Sequence, residues 1–77
     1  MNWRDRISVD SNVCHGKPCI KGTRVMVSVV LDNLAAGESH EEIMRGYHIE
    51  EEDIQAALQY AADLARDRML VLPGGAA

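Results

Sequence analysis

The sequence predicts a mainly α protein, in which a bundle of three helices follows a small N-terminal β element made of a short strand and a hairpin. Two observations carry this prediction. Apolar residues recur at helical spacing in three segments after residue 27, whereas the segment before it contains short alternating apolar runs and the turn-forming Gly16, Pro18 and Gly22.

A chain of 77 residues has room for one domain with a thin core. We expect that domain over residues 1–72, with the β element in 1–27, the three helices in 28–68 and an apolar segment at 69–72. Residues 73–77, Pro-Gly-Gly-Ala-Ala, predict a flexible tail. Because the chain has no Phe, its core must be aliphatic, and a small aliphatic core is often completed at a subunit interface. We therefore expect the chain to pack against a partner.

The β element is predicted from short alternating runs and turn residues. Ile7-Ser8-Val9 alternates apolar and polar residues and predicts a strand, which the turn-forming Asp10-Ser11-Asn12 closes. Cys19-Ile20 predicts the first strand of a hairpin, Lys21-Gly22 its turn, and Thr23 to Val27 the returning strand. In the same stretch, Lys17, Lys21 and Arg24 would line the exposed side, where the alternative is only a solvated rim.

The first helix is predicted to begin at Ser28 as N-cap and to end at Gly37, with an apolar stripe at Val29, Val30, Leu31 and Leu34. The second is predicted from Ser39 and Glu42, which have the spacing of a capping box, and Gly46 is predicted to stop it. These two helices resemble the start of a helix-turn-helix unit, and the alternative is an ordinary helical hairpin.

The third helix is predicted from about Glu51 to Arg68, with Ile54, Ala57, Leu58, Ala61, Leu64 and Ala65 on its apolar face. Its acidic start (Glu50 to Asp53) and its basic end (Arg66 and Arg68) suit the helix dipole. A DNA-reading helix presents its first residues to the bases, and four acids there would be repelled by the duplex. We therefore do not expect this helix to be a conventional recognition helix.

The net charge of −4 and the pI near 5.2 argue against general affinity for nucleic acid, so any DNA contact must be local. No apolar run has the length of a membrane span, and the first residues do not read as a secretory signal. The expected location is the cytoplasm.

The sequence favours a protein without catalytic or cofactor chemistry. Cys14 and Cys19 are spaced Cys-x4-Cys, but a second ligand pair is missing, so two reduced, half-buried thiols are favoured over a zinc site with His40 or His48. Cys14-His15 is the nearest approach to a nucleophile and base, but in an extended chain these two adjacent side chains would point to opposite faces. No phosphate-binding loop is present.

The run Gly16-Lys-Pro-Cys-Ile-Lys-Gly-Thr-Arg24, with Ile7, the Val27-to-Gly37 helix and the segment from Tyr47 to Ala61, resembles the family known as domain of unknown function 433. The resemblance covers roughly residues 7 to 65. It implies a small β element before a three-helix, homeodomain-like or winged-helix-like body and a homodimer. Some members resemble VapB-type antitoxins, bacterial partners of PIN-like ribonuclease toxins.

The resemblance thus implies an antitoxin that binds promoter DNA and inhibits a nuclease. On this hypothesis, the candidate nucleic-acid contacts are Lys17, Lys21, Thr23 and Arg24. Arg66 and Arg68 are candidate inhibitory residues, because a guanidinium pairs well with metal-holding carboxylates, and Met69, Leu70 and Leu72 would cover the toxin. The alternative is a protein-protein interaction or assembly module that binds no nucleic acid.

Overall fold

The computed structural model describes residues 2–67 and has three helices and one small sheet, as the sequence predicts. The strands β1 (Ile7–Ser8) and β2 (Cys19–Ile20) are antiparallel, with Ile7 opposite Ile20 and Ser8 opposite Cys19. They are followed by α1 (Val27–Ala35), α2 (His40–Tyr47) and α3 (Glu51–Asp67). Short 3₁₀ turns cover Trp3–Asp5 and Cys14–Gly16. Arg68, the apolar segment 69–72 and the tail 73–77 lie outside the described residues.

The predicted hairpin is wrong in its pairing. The partner of β2 is β1, and the predicted returning strand is reduced to a single bridge between Cys19 and Met26. The strand cannot continue because Met26, in extended conformation, already caps α1 and accepts hydrogen bonds from Val29 and Val30. For the same reason Ser28 is not the N-cap but the second residue of the helix.

The ends of α1 and α2 follow from local residues. Gly37 has a φ of 90°, its N–H donates to Leu34 O and that of Glu38 to Asn33 O, which is the hydrogen-bond pattern of a Schellman motif. The Ser39–Glu42 capping box is present at the start of α2. Gly46 does not stop that helix, which continues to Tyr47 before His48 turns the chain with a φ of 56°.

The core is small, aliphatic and centred on the first half of α3. Its buried members come from both strands, all three helices and the turn before α3: Ile7, Ile20, Val27, Val30, Ile43, Ile49, Ile54, Ala56 and Ala57. The predicted apolar face of α3 is therefore only half correct, since Leu58 and Leu64 are 39% and 38% exposed and Ala65 is also exposed. The second half of α3 instead contacts Trp3, whose ring meets that of Tyr60 edge to face at 5.1 Å.

Candidate nucleic-acid interface

The segment 14–24, called the loop below, begins with residues in left-handed backbone conformation. Cys14, His15 and Gly16 have φ values of 52°, 57° and 79°. These three residues form a turn that reverses the chain. The Lys17 N–H closes this turn by donating to Cys14 O at 3.1 Å. Positive φ is uncommon in residues other than glycine and marks a backbone path that the surrounding structure imposes.

Thr23 holds the second turn of this loop together. Its hydroxyl donates to Ile20 O at 2.7 Å and accepts from the Val25 N–H at 3.0 Å. Gly22 precedes it with a φ of 78°. The hydroxyl predicted as a nucleic-acid contact is therefore engaged within the loop, where it fixes the positions of its neighbours Lys21 and Arg24.

The three cations of the loop are exposed, as predicted. Lys17, Lys21 and Arg24 form no salt bridge with any residue in 2–67, whereas Arg6, His40 and Arg66 each pair with a carboxylate. Lys21 and Arg24 flank Thr23 and line two depressions that share it. Lys17 lines a separate, apolar groove, so the structure does not gather all three cations in one depression.

The acids at the start of α3 are engaged in contacts within the chain. Asp53 is 8% exposed, and its carboxylate accepts from Arg6 Nη1 at 2.9 Å and from the Glu50 N–H at 2.9 Å. Glu50 Oε1 lies 3.4 Å from the same guanidinium. The hydrogen bond to Asp53 is the largest of the contributions that raise the pKa of Arg6. Sequence reasoning missed this pairing, because Arg6 carries no local signal that points to residues 44 and 47 positions away.

A second pair joins the starts of α2 and α3. His40 Nδ1 lies 3.0 and 2.9 Å from the two carboxylate oxygens of Glu51, and Gln55 Nε2 donates to the same carboxylate at 3.0 Å. The bonds from Gln55 and then from His40 lower the pKa of Glu51. The acids at the N-terminal end of α3 therefore bind α2, through His40, and the N-terminal segment, through Arg6.

The apolar groove has a volume of about 320 Å³. Its lining combines α1, α3 and the loop: Lys17, Pro18, Val27, Ser28, Leu31, Tyr60 and Leu64. Arg66, a predicted partner-binding residue, is exposed, does not line this groove and pairs with Asp63. The other predicted partner contacts, Arg68, Met69, Leu70 and Leu72, are not among the residues that the structure describes.

Cys14 and Cys19 are both free thiols, Cys14 half-buried and Cys19 buried. Within residues 2–67, no three histidine, cysteine or acidic side chains converge as metal ligands would, and no helix is both long and apolar enough to cross a membrane.

Comparison with known proteins agrees with this fold. The model of a family described as protein of unknown function, DUF433, matches residues 7–61. The chain is similar to a DUF433 member protein from Anabaena variabilis ATCC 29413 whose crystal structure is solved, with 25% identity and a TM-score of 0.74. The match covers 83% of this chain and 64% of that one, so this chain spans less than two thirds of its relative. No curated protein matches. Since the family model covers well over half of its residues, the chain belongs to the DUF433 family of proteins of unknown function.

Proposed function

We propose that this protein is the antitoxin-like, DNA-binding partner of a PIN-like ribonuclease toxin, that it inhibits the toxin and that, as a homodimer, it represses its own promoter. The observation that carries the DNA-binding part is the exposed loop with Lys17, Lys21 and Arg24, none of which has a carboxylate partner within residues 2–67. Unpaired cations on a fixed turn are suited to phosphate contacts. The chain itself would carry no catalysis.

The arrangement of the acids supports a loop contact over a recognition helix. Glu51 and Asp53 hold His40 and Arg6, so the first turn of α3 presents bound carboxylates where a recognition helix would read bases. With a net charge of −4, the chain can bind DNA only through a local basic surface. Two copies of the loop in a dimer would double the number of phosphate contacts.

A binding titration with DNA from upstream of the gene tests this proposal. The variant with Lys17, Lys21 and Arg24 all changed to Ala should bind at least about tenfold more weakly at physiological salt. Its log-log salt dependence should flatten by up to about 2.7 per protomer, since each phosphate contact contributes roughly 0.9. Unchanged affinity would remove the loop from the interface.

The matched control changes Arg4, Arg45 and Arg66 to Ala, which removes the same amount of positive charge from other parts of the described surface. This control should keep most of the affinity and most of the salt slope. If both triple variants lose binding equally, the effect is one of net charge, and the loop has no particular role.

The toxin-binding part is tested by co-purification from the native host followed by mass spectrometry, where recovery of a small nuclease is the expected result. The nuclease should then be inhibited by the native chain and released from inhibition when Arg66 and Arg68 are both changed to Ala. A guanidinium that pairs with metal-holding carboxylates would cause this difference. Inhibition that survives both substitutions would contradict the roles proposed for these arginines.

The second candidate function is a protein-protein interaction module without DNA binding, and the apolar groove favours it. Lys17 at its rim fits a partner segment that combines apolar side chains with an acidic residue. Leu64→Glu should abolish recovery of such a partner, because Leu64 lines the groove. Leu58→Glu is the matched control, since Leu58 has nearly the same exposure, 39% against 38%, and does not line it.

A further inference from the structure

The two cysteines of the loop both contact one short segment, Arg24 to Met26. The Cys14 thiol donates to the Arg24 carbonyl at 3.3 Å, and Cys19 forms the bridge with Met26, two residues further along. The segment is fixed between these points because the Ile20 N–H donates to Val25 O at 2.8 Å. The tight turn at Cys14–Gly16 folds the chain back, so that Cys14 and Cys19 both lie beside this segment.

Their surroundings differ in a way that suits two successive roles. Cys14 is half-buried and can be reached from solvent, whereas Cys19 is 1% exposed. Burial, followed by a hydrogen bond with the Cys14 thiol, raises the pKa of Cys19 to about 11. Both thiols therefore lie beside the same short segment, Arg24 to Met26, and the buried thiol is protected from reagents in solution.

We propose that Cys14 and Cys19 form a reversible dithiol-disulfide pair that is oxidised by low-molecular-weight disulfides. The Cys14 thiolate attacks one sulfur of the small disulfide and expels a small thiolate, which leaves a mixed disulfide on Cys14. The Cys19 thiolate then attacks the Cys14 sulfur and expels the second small thiolate. Two protein thiols are oxidised, one small disulfide is reduced to two thiols, and the two protons pass to the leaving groups.

Oxidation would change the loop. The Cys14 sulfur would no longer donate to the Arg24 carbonyl, and the ring closed by the new bond would contain Lys17 and Pro18. The exposed cations at positions 17 and 24 would thus be held differently in the two redox states. This inference concerns the thiols alone and does not depend on the proposed DNA binding.

The test equilibrates the full chain with glutathione redox buffers and follows free thiols with Ellman's reagent and intact mass. Both thiols should disappear together, with a mass loss of two hydrogens, no glutathione adduct at equilibrium, no covalent dimer, and full reversal by dithiothreitol. A stable glutathione adduct or a covalent dimer as the main product would overturn the proposal.

Single variants separate the two roles. Cys19→Ala should stop at the mixed disulfide on Cys14, whereas Cys14→Ala should leave Cys19 unmodified in the folded chain and reactive in urea. The closing step in the native chain should accelerate with pH from 7 to 9, because the thiolate fraction of a group with a raised pKa grows about tenfold per pH unit. A closing rate that does not change with pH, or a Cys19 that reacts first, would contradict the assigned order.

Discussion

Asp53 links the N-terminal segment to the longest helix, and it is the one buried charged residue among those the structure describes. One carboxylate oxygen accepts from Arg6 and the other from the Glu50 N–H. Asp53→Asn keeps the size of the side chain but removes the charge and leaves one amide nitrogen facing a donor. We expect it to lower the free energy of unfolding by about 1–3 kcal/mol, the range for a buried hydrogen bond to a charged group that loses its partner.

Urea unfolding followed by far-UV circular dichroism measures this change. Glu52→Gln is the matched control, because Glu52 lies in the same first turn and is exposed. It should cost less than about 0.5 kcal/mol, as surface substitutions usually do. Equal costs for the two variants would mean that the helix dipole, and not the contact with Arg6, explains the acids of this turn.

At the scale of elements, α2 begins with a capping box that makes its stability depend on pH. Hydrogen bonds from Ser39 hold the pKa of Glu42 below its usual value. A carboxyl whose pKa is lowered by folding stabilises the folded state above its unfolded pKa of about 4.3, and this contribution is lost as the pH falls through the lower folded pKa. Glu42→Gln should therefore reduce the loss of stability between about pH 5 and pH 3.

Urea midpoints measured across that range check the prediction, and Glu41→Gln is the control, since Glu41 is in the same first turn but outside the capping box. Glutamine still accepts from the N-cap N–H but carries no charge, so the variant should be less stable than the native chain near neutral pH, and the two should converge near pH 3. Ser39→Ala, which removes the cap itself, should cost about 1 kcal/mol at pH 7. A pH profile of Glu42→Gln identical to that of the native chain would rule out this titration as a source of acid sensitivity.

The elements differ in how well the sequence predicts them. The capping box and the Schellman motif involve residues within a few positions of one another, so their residue types alone indicate them. The pairing of β2 with β1 and the start of α1 at Val27 depend on contacts between segments that are distant in the sequence. The local pattern favoured Ser28 as the N-cap, because serine is a common capping residue. Likewise, the exposure of Lys17, Lys21 and Arg24 was predictable, but the separation of Lys17 from the other two depends on how the loop packs against α1 and α3.

At the scale of the whole molecule, burial is unevenly distributed along α3. All of its buried residues lie between Asp53 and Ala57, so the core holds the first half of the helix. The second half is held from outside by Trp3, which packs on Tyr60 and donates from Nε1 to Asp63 Oδ2 at 2.5 Å. The Arg4 guanidinium lies over the indole, 4.4 Å from the ring centroid. The N-terminal segment with Trp3 and Arg4, called the N-terminal clamp below, thus packs on the second half of α3.

This arrangement predicts local unfolding when the clamp is removed. In Trp3→Ala, amide hydrogen exchange should accelerate by about tenfold or more between residues 58 and 66, which corresponds to roughly 1.4 kcal/mol, while the amides of α1 keep most of their protection. Trp3→Phe is the matched variant, because it keeps the edge-to-face contact with Tyr60 and loses only the hydrogen bond to Asp63, and its effect should be smaller. Because Val27 and Val30 of α1 share the buried core with the first half of α3, we expect α1 to stay folded when the second half opens. Equal acceleration in α1 and in both halves of α3 would mean that the bundle unfolds as one unit and that Trp3 stabilises all of it.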